Sequence, residues 1–328
     1  MSDPILVTGT AGFIGFHTAL NLLQANKTVV GIDNLNDYYD VSLKKDRLQN
    51  LENFKNFTFV KEDIANKDAL EDVWQKHGPF KNVIHLAAQA GVRYSIENPY
   101  SYMASNIIGH LTIMEMCRHT KDFEHLVYAS SSSVYGGNEK LPYSVNDRVD
   151  QPISLYAATK RSDELMSHSY SHLYKIPQTG LRFFTVYGPW GRPDMSPFIF
   201  ADAISNGKKV PVFNHGDMKR DFTYIDDVIS GVLKVLEHPP SNTENEAPHR
   251  VLNIGNTRSE RLMDYIALIE KSLDKKADVE FLPMQSGDVK ETYADITETT
   301  DLVGYKPTTT IEEGIPKFIN WYKEYYGR

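Results

Sequence analysis

The segment Gly9-Thr10-Ala11-Gly12-Phe13-Ile14-Gly15 constrains this chain more than any other stretch. It follows the apolar run Ile5-Leu6-Val7, short enough for a buried strand. It opens a stretch in which Phe13, Ile14, Ala19, Leu22 and Leu23 recur with a roughly helical period. Strand, glycine turn and helix in succession aim backbone N–H groups and a helix N-terminus at a pyrophosphate. In that geometry Gly9 permits the tight turn, Gly12 lets a phosphate approach the backbone, and Gly15 lets the helix pack against the strand. A second run, Thr28-Val29-Val30-Gly31-Ile32, ends in Asp33, at the spacing from the glycines where a carboxylate meets both hydroxyls of an adenosine ribose. The combination predicts a bound dinucleotide.

Further strands are predicted at Phe57–Val60, Asn82–Ala88, His125–Ala129, Gly180–Phe184 and Arg250–Gly255, with a long helical segment over Ala104–Cys117. The alternation predicts an α/β chain. Its expected form is a Rossmann-type doubly wound parallel sheet of about seven strands, with a smaller mixed α/β substrate domain. The boundaries fall at 1–180 plus about 222–258 for the dinucleotide domain, and about 181–221 plus 259–328 for the other. Phe13, Ile14 and Asn34 join the cofactor set by adjacency. Asp63 and Ile64, at the third strand's end, are placed for adenine, and the small residues near Ala87 leave room for the cofactor. A 2′-phosphate calls for an arginine just after the second strand. Here Asp33 would repel it and uncharged residues follow, while Lys44-Lys45-Asp46-Arg47 reads as a solvated helix face. The cofactor is therefore expected to be NAD rather than NADP.

Composition narrows the partners. A net charge of −8 argues against nucleic acid and against a basic membrane-binding surface. The single cysteine, Cys117, allows no intramolecular disulfide and suits a reducing cytoplasm. No run approaches the ~18 apolar residues of a membrane span, and the immediate entry into the first strand leaves no room for a signal peptide. The polar stretch Pro239–Glu246 reads as an exposed loop. Neither CxxC nor HExxH occurs, so no metal is expected, and G-x-S-x-G, the hydrolase nucleophile elbow, is absent.

The chemistry is read from Ser130–Ser133, which follow the fifth strand, and from Tyr156-Ala157-Ala158-Thr159-Lys160. Residues four apart share a helix face, so the Tyr156 hydroxyl and the Lys160 ammonium sit together. A free tyrosine, with a pKa near ~10, is a poor base at neutral pH. A nearby ammonium and a nicotinamide cation favour the phenolate. Arg93, in the loop after the fourth strand, is an anion-binding candidate. The many Gly and Pro residues of Thr185–Asp194 predict an irregular, substrate-facing loop. Lys219-Arg220-Asp221-Phe222 sets a cation beside an aromatic, suited to phosphate and base.

With these residues in place, the chain resembles the extended short-chain dehydrogenases/reductases of the nucleotide-sugar epimerase group over nearly its whole length. GTAGFIG, YAATK and the serines of strand five carry the superfamily likeness. Asp33–Asp40 (DNLNDYYD), His85–Pro99, Arg182–Met195 (RFFTVYGPWGRPDM) and Met284–Val289 are similar to bacterial UDP-glucuronate 4-epimerases. The 4,6-dehydratases of this group carry an Asp-Glu pair, and the decarboxylases a Glu, where this chain has Ser132 and Ser133. Neutral-hexose 4-epimerases usually have Asn at the position of Thr185 and Arg at that of Gln285, which leaves Arg220 as the main candidate for the diphosphate.

The resemblance implies NAD-dependent C4 epimerisation of a UDP-hexuronic acid, with Tyr156 as base, Lys160 as its partner and Ser131 on the same oxygen. Arg93, Ser132, Ser133, Thr185, Arg192, Val212, Arg220 and Asp288 are then the substrate-binding candidates. Ser132, Ser133 and Thr185, with Arg192 nearby, are assigned to the sugar carboxylate, with Arg93 as a second candidate, and a neutral sugar is expected to leave the arginine unpaired. A homodimer through helices near Ala104–Cys117 and Tyr156–Tyr174 is also implied. Three alternatives remain: a neutral-hexose 4-epimerase, a decarboxylase or dehydratase relative, and a non-catalytic NAD-binding sensor.

Overall fold

The computed structural model describes residues 3–241, 246–285 and 288–327. Parts of the expected loop Pro239–Glu246 and of the stretch Gln285–Asp288 (residues 242–245 and 286–287) therefore lie outside the described residues.

Strands β1 (Ile5–Thr8), β2 (Val29–Asp33), β3 (Phe57–Lys61), β4 (Asn82–His85), β5 (His125–Ser131) and β6 (Gln178–Phe183) join the strand His249–Ile254 in one seven-stranded parallel sheet. The spatial order runs from His249–Ile254 through β6, β5, β4 and β1 to β2 and β3. The winding reverses between β4 and β1, the position at which open α/β sheets leave a crevice at the strands' carboxyl ends. This is the Rossmann-type doubly wound fold the sequence predicts. Leu6, Val7, Ile84, Leu126 and Val127 are fully buried, as they must be when helices cover both faces of a parallel sheet.

Helix α1 (Phe13–Gln24) follows β1, and α2 (Val41–Glu52) follows β2. The Asp40 side chain caps α2 by accepting from the Ser42 N–H at 2.9 Å. The helical path expected over Ala104–Cys117 starts earlier, at Pro99, and is interrupted by a π turn over Met103–Ile108 before continuing as Gly109–His119. Asn106 lies in that turn, buried, and exchanges hydrogen bonds with the Gln89 backbone (Gln89 N–H to Oδ1, 2.8 Å; Nδ2 to Gln89 O, 3.1 Å). Its Nδ2 also reaches Thr159 Oγ1 at 3.0 Å, tying the turn to the helix Leu155–Tyr174. Such bulges recur where a side chain must be re-aimed at a site.

Three two-stranded ribbons build the remainder: Thr185–Tyr187 with Phe222–Tyr224, Lys209–Val212 with Asp278–Phe281, and Lys219–Arg220 with Glu260–Arg261. The first overturns the expectation of no regular structure over Thr185–Asp194. Parallel pairing to a remote strand supplies the hydrogen bonds that the local sequence does not suggest. Helices Leu262–Leu273 and Ile311–Tyr326 pack together behind these ribbons. No described helix is long and apolar enough to cross a membrane.

Candidate active site

A cavity of about 650 Å³ runs from the glycine turn, past the end of β5, to the ribbons of the second part. At one end Gly9 takes φ +72°, and its N–H donates to Ile32 O at 2.7 Å, which ties the turn to β2. A Cβ on Gly15 would lie 2.0 Å from Gly9 O, so α1 can rest on the turn only with a glycine there. On Gly12 it would lie 2.9 Å from the same carbonyl. Gly12 also caps α1 without a side chain, so no side-chain acceptor covers the first-turn N–H groups of the helix.

Asp33 closes β2 with both oxygens committed to backbone: Oδ2 accepts from Ala11 N–H at 3.1 Å and Oδ1 from Leu35 N–H at 2.9 Å. Burial raises its pKa, against the opposing pull of these amides and of Lys44 and Arg47. Asn34, Ile64 and Ala87 also line the cavity, as do Phe13 and Ile14. Asp63 stands behind the wall, where it accepts from Asn34 Nδ2 at 2.9 Å and from Ala65 N–H at 2.8 Å.

The basic stretch is not a solvated face. Arg47 is fully buried and Lys44 nearly so. Arg47 donates to Ala11 O and to Tyr39 Oη (both 2.8 Å), to Trp190 O at 2.5 Å and to Gly191 O at 3.2 Å, joining the glycine turn, the loop after β2 and the 188–195 loop. Lys44 donates to Asn36 O and Oδ1 at 2.7 and 2.8 Å, on the cavity wall. A sequence signal for Arg47 exists: Leu43, Arg47 and Leu51 are spaced by four, which puts the arginine on the apolar face of α2.

At the centre, Tyr156 and Lys160 project from the helix Leu155–Tyr174, whose N-cap Ser154 accepts from Ala157 N–H at 3.1 Å. Lys160 Nζ donates to Ala129 O at 2.9 Å and to Asp163 Oδ2 at 3.2 Å. The Tyr156 ring meets the edge of Tyr102 at 6.0 Å. Ser131 Oγ accepts from Ser133 N–H at 3.2 Å and from Ser133 Oγ at 2.9 Å, so the serine cluster is a bonded unit beside the tyrosine wall.

At the far end, Thr185 lies on the cavity wall at the head of its short strand, its N–H bound to Asp221 O at 3.1 Å. Asp221, buried and pushed up to about 6 by that burial, gathers the N–H groups of Asn256, Thr257 and Ala294 and so fixes the base of the ribbons. Arg93 stacks over Phe213 at 4.9 Å, and its Nη2 lies 3.4 Å from Asp288 Oδ2. Arg220 donates to Lys219 O and Lys290 O at 2.9 and 3.1 Å. Burial lowers its pKa while Asp288 supports the charge. Val212 is fully buried in the core, and its neighbours Pro211 and Phe213 face the cavity instead. Strand alternation accounts for this, since successive side chains point to opposite faces.

Arg192 is already paired, contrary to expectation. Its Nε donates to Asp194 Oδ1 at 3.0 Å and its Nη2 to Asp194 Oδ2, while Tyr38 Oη donates to the same Oδ2 at 3.1 Å. A neutral sugar therefore leaves this arginine with a partner. Tyr38, Lys44, Asp194 and Phe213 are cavity residues that the sequence reading did not pick out. Tyr38 sits in DNLNDYYD and Asp194 in the RPD of the 182–195 stretch, so the signal was in view without a role attached. Among the described residues no cluster of His, Cys, Asp and Glu could hold a metal ion.

A model of the NAD-dependent epimerase/dehydratase family matches residues 5–255. Protein CapI of Staphylococcus aureus is 50% identical to the chain, over 98% of it and 99% of that protein. UDP-glucuronate 4-epimerase 3 of Arabidopsis thaliana is 46% identical, over 98% of this chain and 77% of that one. Among solved structures, UDP-glucuronic acid 4-epimerase from Bacillus cereus, in complex with UDP-glucuronic acid and NAD, superposes with a TM-score of 0.90 at 37% identity, covering 98% of this chain and all of that one.

Proposed function

Since this chain belongs to the NAD-dependent epimerase/dehydratase family, we propose that it is an isomerase that inverts C4 of UDP-glucuronate, giving UDP-galacturonate through a transient 4-keto sugar. The observation that carries this reading is one cavity holding Tyr156, Lys160 and Ser131 between a glycine-turn dinucleotide cradle and an arginine-bearing sugar end. No carboxyl group stands among Ser131, Ser132 and Ser133, where elimination or decarboxylation would employ one as acid or base.

The residues fit NAD. The first turn of α1 has no side-chain cap, Gly9 and Gly15 allow the close approach, and Asp33 stands at the end of β2. Bound there, NAD supplies a reversible acceptor for the C4 hydride. Tyr156 removes the proton from the C4 hydroxyl, and Ser131 holds the same oxygen. Lys160, one helical turn from Tyr156 and anchored on Ala129 O and Asp163 Oδ2, would hold the cofactor ribose with its third N–H. With the keto sugar turned over, hydride return would reach the opposite face of C4 while Tyr156 gives the proton back to the C4 oxygen.

A ketone at C4 makes the C6 carboxylate a β-keto acid, which loses CO₂ when its C5–C6 bond aligns with the carbonyl π system. Ser132, Ser133, Thr185 and Arg192 hold that carboxylate out of alignment through charge-assisted bonds, with Arg93 as the alternative cation, and Arg220 takes the diphosphate. NMR of the products from UDP-glucuronate and UDP-glucose tests the reading, and conversion of UDP-glucose alone would defeat it.

A neutral-hexose epimerase is the second reading, favoured by the Arg192–Asp194 pair, which spares a neutral sugar an unpaired cation. The reading keeps the division into 1–180 plus about 222–258 and about 181–221 plus 259–328, with the sugar between the two. A homodimer is supported by exposed apolar side chains on the helices beside the site, Tyr100 (84% exposed), Leu165 (53%) and Leu173 (64%) among them. A cytoplasmic location suits the buried free thiol Cys117.

A further inference from the structure

Arginine has five N–H donors in a rigid fork. Asp194 takes Arg192 Nε and one Nη2 hydrogen, and Tyr38 Oη donates to the same Oδ2 that accepts from Nη2. Among the described residues Arg192 Nη1 has no hydrogen bond. The side chains of Arg192 and Asp194 are 22% and 23% exposed, so their mutual attraction is only partly screened by water.

We propose that Asp194 is a specificity-determining residue. It stays on the Nε edge of Arg192, turns the Nη1 edge to the sugar carboxylate, and by neutralising the arginine moderates the preference for a uronate over a neutral sugar. This deepens the assignment of Arg192 to the C6 carboxylate and rests on it. With Asp194 present, the couple carries no net charge, so a neutral hexose desolvates no lone cation and a uronate brings in one uncompensated negative charge. Without Asp194 the balance reverses: a neutral sugar then strands a cation and a uronate neutralises it.

The test is the ratio of kcat/KM for UDP-glucuronate to that for UDP-glucose, measured on full-length NAD-loaded protein in wild type, Asp194→Asn, Arg192→Gln and the double variant. The Asn variant retains an acceptor for Tyr38 and for Arg192. Its ratio is expected to rise at least about tenfold, the size of one charge-assisted bond. In Arg192→Gln the surviving Asp194 carboxylate faces the substrate carboxylate, so the ratio is expected to fall below one. Adding Asp194→Asn to Arg192→Gln should bring the ratio back to about one. Should Asp194→Asn alone fail to retain NAD, the comparison of Arg192→Gln with the double variant decides by its sign. An unchanged ratio in Asp194→Asn, or no difference between Arg192→Gln and the double variant, overturns the role of Asp194 and leaves Arg192 as the carboxylate ligand. A wild-type ratio in Arg192→Gln overturns both.

Discussion

Lys160 Nζ lies 3.2 Å from Asp163 Oδ2, one helical turn further along, and both side chains are almost wholly buried. Asp163 Oδ1 has no hydrogen-bond partner among the described residues. Burial pushes the Asp163 carboxyl up to about 7, with Lys160 pulling it down and Glu164 raising it. Ionised, Asp163 cancels much of the field that Lys160 exerts at Tyr156, and protonated it leaves that field intact. The kcat profile of wild type is therefore expected to carry an inflection near pH 7 that Asp163→Asn lacks.

Stability carries a related signature. The folded pKa of Asp163 exceeds its unfolded value, so its contribution is full below about 4 and is lost as pH rises through about 7. Thermal melts of wild type should lose ground to Asp163→Asn across that window. A constant difference from pH 4 to pH 8 would remove Asp163 from this account.

Tyr156→Phe should retain NAD and lose at least ~10²-fold in turnover, the usual scale for a general base. Its ring would keep the edge contact with Tyr102, so the fold has no reason to change. An active, NAD-loaded phenylalanine variant would take the tyrosine out of the mechanism.

Buried histidines set the acid limit of the fold. Burial lowers His17, His125 and His249 to about 4 and His85 to about 3. The unfolded chain binds these protons near pH 6.5, so the stabilisation is complete above that value and is lost as pH falls toward 4. Each unit of depression corresponds to about 1.4 kcal/mol. Asp33, Asp163, Asp221, Asp226 and Glu260, raised by burial, act in the opposite sense, but the two raised furthest, Asp163 to about 7 and Asp221 to about 6, together move less than the four histidines do. Urea midpoints at pH 7.5, 6 and 5 should fall in that order, and equal midpoints would contradict the assignment.

The features that were legible in the sequence are those written in local period or in local sterics. The glycine turn is one, since each of its glycines answers a contact within the turn or with β4's end. The inner strands are another, because a strand covered on both faces reads as a nearly continuous apolar run, as Ile5–Thr8 and Val29–Asp33 do. Arg47 was misread because its charge was weighed without its face. The strand Thr185–Tyr187 was invisible because its partner, Phe222–Tyr224, is remote and neither has a period of its own. Asp194 escaped because the pair it makes with Arg192 lies in a loop, where no helical or strand spacing predicts which side chains meet.

The final prediction concerns the carboxylate. If Thr185 and Arg192 hold it, UDP-glucuronate is preferred, since losing one charged hydrogen bond costs ~1.5–3 kcal/mol, roughly ten- to a hundred-and-fiftyfold. The Asp194 partner of Arg192 moves the expectation to the lower end of that range, because a neutral sugar no longer strands a lone cation. Loosening the hold has a chemical signature that binding alone would not produce. A carboxylate free to rotate about C5–C6 reaches alignment with the C4 ketone, and the C5–C6 electron pair then flows into the carbonyl as CO₂ departs. Thr185→Val and Arg192→Ala are therefore expected to release CO₂ from UDP-glucuronate and to form a 4-keto-pentose or pentose nucleotide alongside slower epimerisation. Trapped CO₂ and the NMR of the pentose product measure it. If Arg192→Ala matches wild type on the uronate and releases no CO₂, the carboxylate is held elsewhere, and Arg93, stacked on Phe213 in the cavity lining, becomes the residue to substitute.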